Sequence, residues 1–389
     1  MGKKVGKEVS IAVAEAVAQC NVDVISAYPI TPQTHIVEHL SELVANGKLD
    51  AEYIWVESEH AALSVCIGAS ATGARTFTST SSQGLFFMYE NIFIASALRL
   101  PIVMVLVNRS ASAPISIWND HMDAMTVRDA GWIQIFVENG QEAVDFIYQA
   151  YRIAEKALIP VLINMDGFRL SHMIEPIEFL DDDLVKKFVP PLKMKYKLDP
   201  KSPITIGAVG VPEIYTEAKK AQDEAFKASM PIICRVMREF SKLTGRVYRP
   251  IETYYMEDAE IALLIMGSLA ETAMNAVDEL RAQGKKVGLI RIRLWRPFPH
   301  REFIKAIGKI KVLCVVDRAV SHGSTGAPVG IEVRSALYLS RKRPKVVNFI
   351  AGLSNRDVTK EDFMEMFEMG YHALKTTPKE PYQIYGAKE

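Results

Sequence analysis

Four short stretches combine residue types that could do chemistry with positions just after apolar runs. In "AEYIWVESEH" Glu57 and Glu59 precede a run of small residues; an apolar setting there would raise a carboxyl's pKa and suit it to proton exchange with a ligand. In "NRSASAPISIWNDHMD", residues 108 to 123, Arg109 offers a forked cation to a carboxylate. In "STSSQG", residues 79 to 84, Ser82 and Gln83 bring a hydroxyl and an amide. In "AYPITPQT" Pro29 and Pro32 stiffen the chain on either side of Thr31, with Tyr28 alongside. Asp120 and His121 lie on the loop after Arg109, where they could gate a ligand or merely face solvent.

Each stretch also has a plainer reading as a rigid turn, a helix-dipole partner, a helix cap or a surface cation. Their shared placement separates the two accounts. In an open parallel sheet the ligand lies beyond the carboxyl ends of the strands, so residues that follow several strands converge on one crevice.

The elements that must position them alternate. From residue 10 to about 170 the apolar runs "VDVISAY", "AEYIWV", "ARTFTSTS", "PIVMVLVN", "GWIQIFV" and "PVLINMDG" are separated by helix-like stretches near 34–45, 57–73, 85–97 and 141–155. That alternation predicts an α/β fold with a doubly wound parallel sheet. Residues 180–256 change character, with "DDD", Pro190, Pro191, Pro200 and Pro203, and many lysines, and predict an extended arm followed by helices over 212–228 and 232–243. Alternation then resumes through "AEIALLIMGS", "KKVGLIRIRL", "KVLCVVDRAV" and "KVVNFIAGL", with helices near 270–283, 300–306 and 327–340. At 389 residues two compact units are expected, and we divide the chain into 1–245, carrying the arm at about 180–245, and a smaller α/β unit, 246–389.

Composition removes several functions. Forty-six basic residues balance forty-six acidic ones, which argues against nucleic acid and anionic membrane surfaces as partners. The start, "MGKKVGKEVSIAVAEAVAQC", reads as an amphipathic helix because Glu15 interrupts its apolar stretch. No apolar run reaches membrane-spanning length. Cysteines 20, 66, 234 and 314 form no C-x-x-C, which points to buried thiols in a reducing, cytoplasmic compartment and to no metal or iron–sulfur site built by this chain. "TSSQG" lacks the first glycine of a nucleophile elbow, Thr80 standing in its place, and no dinucleotide or Walker glycine pattern follows a strand.

Taken together, "AYPITPQT", "ESEHAALSVCIGASATGARTFTSTSSQGL", "RLPIVMVLVNRSASAP" and "DHMDAMTVRDAGWIQ" resemble the α chain of the pyruvate and related 2-oxoacid:ferredoxin oxidoreductases. The resemblance continues through "RPFP" and "FIAGL". It implies a pyrimidine-type thiamine diphosphate domain followed by a domain like the transketolase C-terminal domain. The implied reaction is coenzyme A-dependent oxidative decarboxylation of a 2-oxoacid, pyruvate being favoured, with electrons passed to ferredoxin. By the same resemblance Glu59 is the carboxylate beside the pyrimidine ring, with Glu57 second choice, and Thr31 and Arg109 hold the substrate. Tyr28, Pro29, Ser82 and Gln83 line the cofactor, although Ser82 and Gln83 could instead cap a helix. Thiamine diphosphate is then shared with a β chain that carries the diphosphate and Mg²⁺, and this chain holds no metal. A γ chain and a ferredoxin-like δ chain, or fused equivalents, supply the iron–sulfur clusters. Branched-chain or aryl 2-oxoacids such as phenylglyoxylate remain alternative substrates, and a non-catalytic scaffold is the alternative role.

Overall fold

The computed structural model describes residues 4–376, 378 and 380–388. Six parallel strands and one antiparallel strand form the first sheet. Their order is Leu294–Arg296, Ile133–Phe136, Val161–Asp166, Val103–Asn108, Thr76–Thr80, Val24–Ala27 and Glu52–Trp55. Val103–Asn108 and Val161–Asp166 are buried at every position, as central strands covered on both faces must be. Their register sets Asn108 beside Asp166, while Thr80 lies beside Leu106 and Ala27 beside Trp55. The carboxyl ends of all six parallel strands therefore share one edge.

Local chemistry starts and stops the helices between them. Helix Glu59–Ala71 begins where the Ser58 hydroxyl accepts from the Ala61 amide at 3.2 Å, and helix Gly140–Ala157 where the Asn139 side chain accepts from Glu142 N at 3.0 Å. Leu158, at φ 51°, turns the chain out of the second of these.

The second sheet runs Gln383–Ile384, Lys345–Ile350, Val312–Asp317, Ile261–Ile265, Val287–Ile292 and Ile251–Tyr254, parallel except for the last. The two units share apolar packing. Val103, Val105 and Val107 face a core built on helices Val9–Gln19 and Gly140–Ala157. Met104 and Leu106 face the other way, into a core that continues through Trp132 and Trp295 to Leu264 and Leu313 of the second unit. Each fully buried large apolar side chain there stabilises the fold by about 1.5–3 kcal/mol.

Several expectations are corrected. Residues Lys4–Glu8 are not part of the first helix; they form a strand antiparallel to Ile174–Glu178, and the helix is Val9–Gln19. The arm contains a helix, Asp182–Phe188. The two helices expected around residue 230 are one, Pro212–Thr244, which continues through Pro231. The stretch near 85–97 divides into Ser82–Phe87 and Tyr89–Ala97. Helix Lys360–Lys375 was not anticipated; its start is a reciprocal cap between Thr359 and Asp362.

Candidate active site

The strand order reverses between Val24–Ala27 and Thr76–Thr80, since the helix after one leads towards Glu52–Trp55 and the helices after the other towards Val103–Asn108. Such a reversal opens a crevice. Gln33, fully buried, stitches its walls together: Nε2 donates to the carbonyls of Tyr28 and Ser79, both at 3.0 Å. Tyr28, Pro29 and Thr31 stand exposed at the rim, and the Thr31–Pro32 peptide is cis.

Asp123 ties two strand ends to one point. Its Oδ2 accepts from the amides of Arg109 at 2.9 Å and Ser82 at 3.2 Å, and its Oδ1 from Asn108 Nδ2 at 2.9 Å and Ala124 N at 2.7 Å. Burial pushes this carboxyl up to about 7, while the hydrogen bonds from Asn108 and the Arg109 amide pull it back. Through Asp123 the backbone of Arg109 is fixed to that of Ser82.

Arg109 is only 7% exposed. Nε donates to the Ser116 carbonyl at 2.9 Å and Nη1 to the Thr31 carbonyl at 3.1 Å. Burial holds its pKa below the ordinary value, with the Asp123 charge opposing that shift. The structure thus brings Thr31 and Arg109 together through main chain.

Glu59 opens its helix and is 7% exposed. Burial raises its carboxyl, and its own backbone amide works against that rise. Gly84 lies directly against it. A Cβ on Gly84 would stand 2.7 Å from Glu59 Oε1 and 2.3 Å from Thr80 Oγ1, so only glycine leaves room for this carboxyl. Glu57, by contrast, is exposed.

Ser82 and Gln83 bond to the loop that follows Arg109. Ser82, at φ 32°, donates its hydroxyl to the Ser110 carbonyl at 2.8 Å. Gln83 Nε2 donates to Ser112 Oγ at 2.8 Å, and its buried Oε1 has no partner among the described residues. Neither caps the helix: Ser81 stands at the cap position, with no side-chain capping bond. Both instead tie the helix start to the loop that follows Arg109.

That loop corrects a further expectation. Asp120 and His121 neither gate nor face solvent; they are buried against the second unit. Asp120 accepts from the amides of Met122 at 3.0 Å and Ser354 at 3.4 Å. His121 Nε2 pairs with Asp166 Oδ1 at 2.9 Å, and Asp166 Oδ2 accepts from Arg318 Nη1 at 2.6 Å and from Ser268. Burial pushes the Asp166 carboxyl up, but Arg318 and His121 overcome it and hold it well below the usual carboxylate range. Burial in turn lowers the His121 imidazole against the pull of Asp166. The second unit therefore supports the Arg109 loop from behind.

Sequence reasoning missed Asp123, Gln33 and Gly84. Gly84 was visible as the glycine of "SSQG"; Asp123 is one acid among several in "NDHMD", and nothing local marks it as the hub.

Residues 15–238 match the pyruvate flavodoxin/ferredoxin oxidoreductase thiamine diphosphate-binding family, and residues 259–363 the pyruvate:ferredoxin oxidoreductase core domain II family. Pyruvate synthase subunit PorA of Methanocaldococcus jannaschii is 49% identical over 356 residues, covering 90% of this chain and 90% of that protein. Ketoisovalerate oxidoreductase subunit VorA of Pyrococcus horikoshii is 44% identical over 359 residues, covering 92% of this chain and 91% of its own length. Among solved structures, 2-oxoglutarate:ferredoxin oxidoreductase from Magnetococcus marinus superposes with a TM-score of 0.71 at 18% identity, over 95% of this chain and 65% of that chain. A split gene transketolase superposes with a TM-score of 0.57 at 11% identity, over 95% of this chain and 99% of its own. These two structures share the fold.

Proposed function

The chain belongs to the pyruvate flavodoxin/ferredoxin oxidoreductase family, and we propose that it is the α subunit of a multi-chain pyruvate synthase. The reaction is oxidative decarboxylation of pyruvate with coenzyme A, giving acetyl-CoA and CO2 and passing two electrons to ferredoxin. The observation that carries this reading is the Glu59 carboxyl, buried at a helix start against Gly84 in the crevice of a thiamine diphosphate-binding domain.

The residues fit a pyrimidine ring. A buried carboxyl with a raised pKa can share a proton with a ring nitrogen, and helix Glu59–Ala71, which this carboxyl opens, is rich in small residues. When bound, thiamine diphosphate supplies the nucleophilic carbon and the electron sink. Glu59 holds and returns the proton at the pyrimidine nitrogen. Arg109 orients the substrate carboxylate with the nitrogen its loop bonds leave over, and Thr31, Tyr28 and Pro29 border it at the rim.

Partner chains complete the site on this reading. A β chain brings the diphosphate and Mg²⁺, and γ and ferredoxin-like δ chains, or fused equivalents, bring the iron–sulfur clusters. Trp55 at 56% exposure and Phe87 at 60%, with Tyr89, Phe93 and Ile94 exposed as well, are large apolar side chains that suit burial by a permanent partner. We divide the chain at residues 245 and 246, between the two family matches, and place the complex in the cytoplasm. A second reading, a branched-chain 2-oxoacid substrate, is favoured by the similarity to VorA.

The test is a substrate screen of the complex purified from its native source with pyruvate, 2-oxoisovalerate, phenylglyoxylate and 2-oxoglutarate. Pyruvate should give the highest coenzyme A- and ferredoxin-dependent rate; preference for 2-oxoisovalerate supports the second reading. Absence of turnover with all four would overturn both.

A further inference from the structure

Thr80 ends the central strand Thr76–Thr80, is fully buried, and its Oγ1 has no hydrogen-bond partner among the described residues. Thr76, Thr78, Ser79 and Ser81 also carry buried, unpartnered hydroxyls, but Thr80 is the one placed at the Glu59 carboxyl. The two groups border the same gap. A side chain on Gly84 would meet Thr80 Oγ1 at 2.3 Å and Glu59 Oε1 at 2.7 Å, so the missing side chain is what lets the hydroxyl and the carboxyl stand next to each other. A buried hydroxyl without a partner beside a carboxyl is unusual, because buried polar groups are normally satisfied.

We propose that Thr80 is the positioning residue for Glu59: in the working site its hydroxyl donates to the Glu59 carboxyl across the gap above Gly84, fixing the rotamer that meets the pyrimidine nitrogen. This rests on the reading of Glu59 given above and adds to it a residue that acts through Glu59 without touching the ligand.

The proposal has a consequence in proton affinity. A hydroxyl that donates to a carboxylate favours its ionised form, opposing the burial that raises Glu59. The charged groups around the carboxyl leave that balance to the two of them. On its own segment Glu57 is exposed and His60 half-buried; strand Thr76–Thr80 and helix Ser82–Phe87 carry no charged residue. Glu90, on the next helix, is exposed, and Asp123 is engaged by Ser82, Arg109, Asn108 and Ala124. Burial and the Glu59 amide alone account for the shift of Glu59.

The experiment measures thiamine diphosphate affinity of the purified complex by calorimetry across the pH range in which it stays folded. A neutral ring nitrogen needs a proton from Glu59, so affinity should fall as pH rises through the titration of this carboxyl. Thr80→Val removes the donor and keeps the shape, and should move that midpoint up by about one pH unit, the size expected for one hydrogen bond to a charged group. Thr80→Ser should keep the wild-type midpoint. If Thr80→Val does not fold, Thr80→Ala removes the same hydroxyl and should shift the midpoint in the same direction. A wild-type midpoint in the valine and alanine variants, or an equal shift in the serine variant, would overturn the role of Thr80. A pH-dependent fall that survives in Glu59→Gln would instead overturn the reading of Glu59 itself, and the proposal with it.

Discussion

Arg109 Nη1 donates to the backbone carbonyl of Thr31 at 3.1 Å, so of the two residues we propose for the substrate carboxylate, the guanidinium of one is held by the main chain of the other. Nε donates to Ser116, and no hydrogen bond of Nη2 is found among the described residues, so we propose Nη2 for the ligand. Arg109→Lys keeps the charge but loses the fork. It should raise KM for the 2-oxoacid and lower kcat/KM by about tenfold to a hundredfold, the size of one or two charge-assisted hydrogen bonds. Steady-state kinetics of the complex measures both.

Gly84→Ala asks whether the gap beside Glu59 matters. The added methyl would overlap the Thr80 hydroxyl and the Glu59 carboxyl, 2.3 and 2.7 Å away, so the carboxyl must move. Overpacking of this kind costs about 1–3 kcal/mol. Calorimetry should find thiamine diphosphate affinity reduced at least about tenfold, with the melting temperature of the complex lowered by only a few degrees.

Asp123→Asn tests the hub. Each carboxylate oxygen accepts two N–H groups, so an amide nitrogen at either position faces donors where an acceptor stood. Each donor left unsatisfied costs about 1–3 kcal/mol, and thermal unfolding should show the variant clearly destabilised. The pH dependence has a definite sign. Because burial raises the folded-state value to about 7, the carboxyl costs stability progressively as pH rises from its unfolded value of about 3.9 to that point. In Asp123→Asn that part of the pH dependence should vanish.

Asp166 has the opposite sign. Its folded-state value is depressed, so its pairing with Arg318 and His121 stabilises the fold fully above the unfolded carboxylate value and is lost as pH falls below about 4. Arg318→Met leaves the buried carboxylate without its guanidinium, with only His121 and Ser268 still against it. Urea unfolding at neutral pH should show a loss of about 3–5 kcal/mol, and the variant's stability should change less on acidification than the wild type's.

How much of this was legible depended on whether the cause was local. Helix Thr34–Ala45 was readable to the residue, with Pro32 before it and Asn46–Gly47 after it. The strand ends were readable because apolar runs stop at polar residues. Helix Pro212–Thr244 was not, since Pro231 argues for a break and burial of Ile233, Val236, Met237 and Phe240 overrides it. Strand Leu294–Arg296 pairs with Ile133–Phe136, a partner no local pattern names. Asp120 and His121 were read as loop residues because Arg318 and Ser354, which bury them, lie far along the chain. The candidate residues were found by type and spacing, while the groups that hold them, Asp123, Gln33 and Gly84, act through contacts that only the fold creates.

The central claim is that Glu59 moves the proton at the pyrimidine ring. It is tested most directly by following deuterium exchange at C2 of bound thiamine diphosphate in complexes carrying Glu59 or Glu59→Gln. The account predicts exchange slowed by at least about a hundredfold in the glutamine variant, in the range of general acid–base catalysis, with cofactor still bound and the fold intact. Exchange within about twofold of wild type, against that expected range, would contradict it.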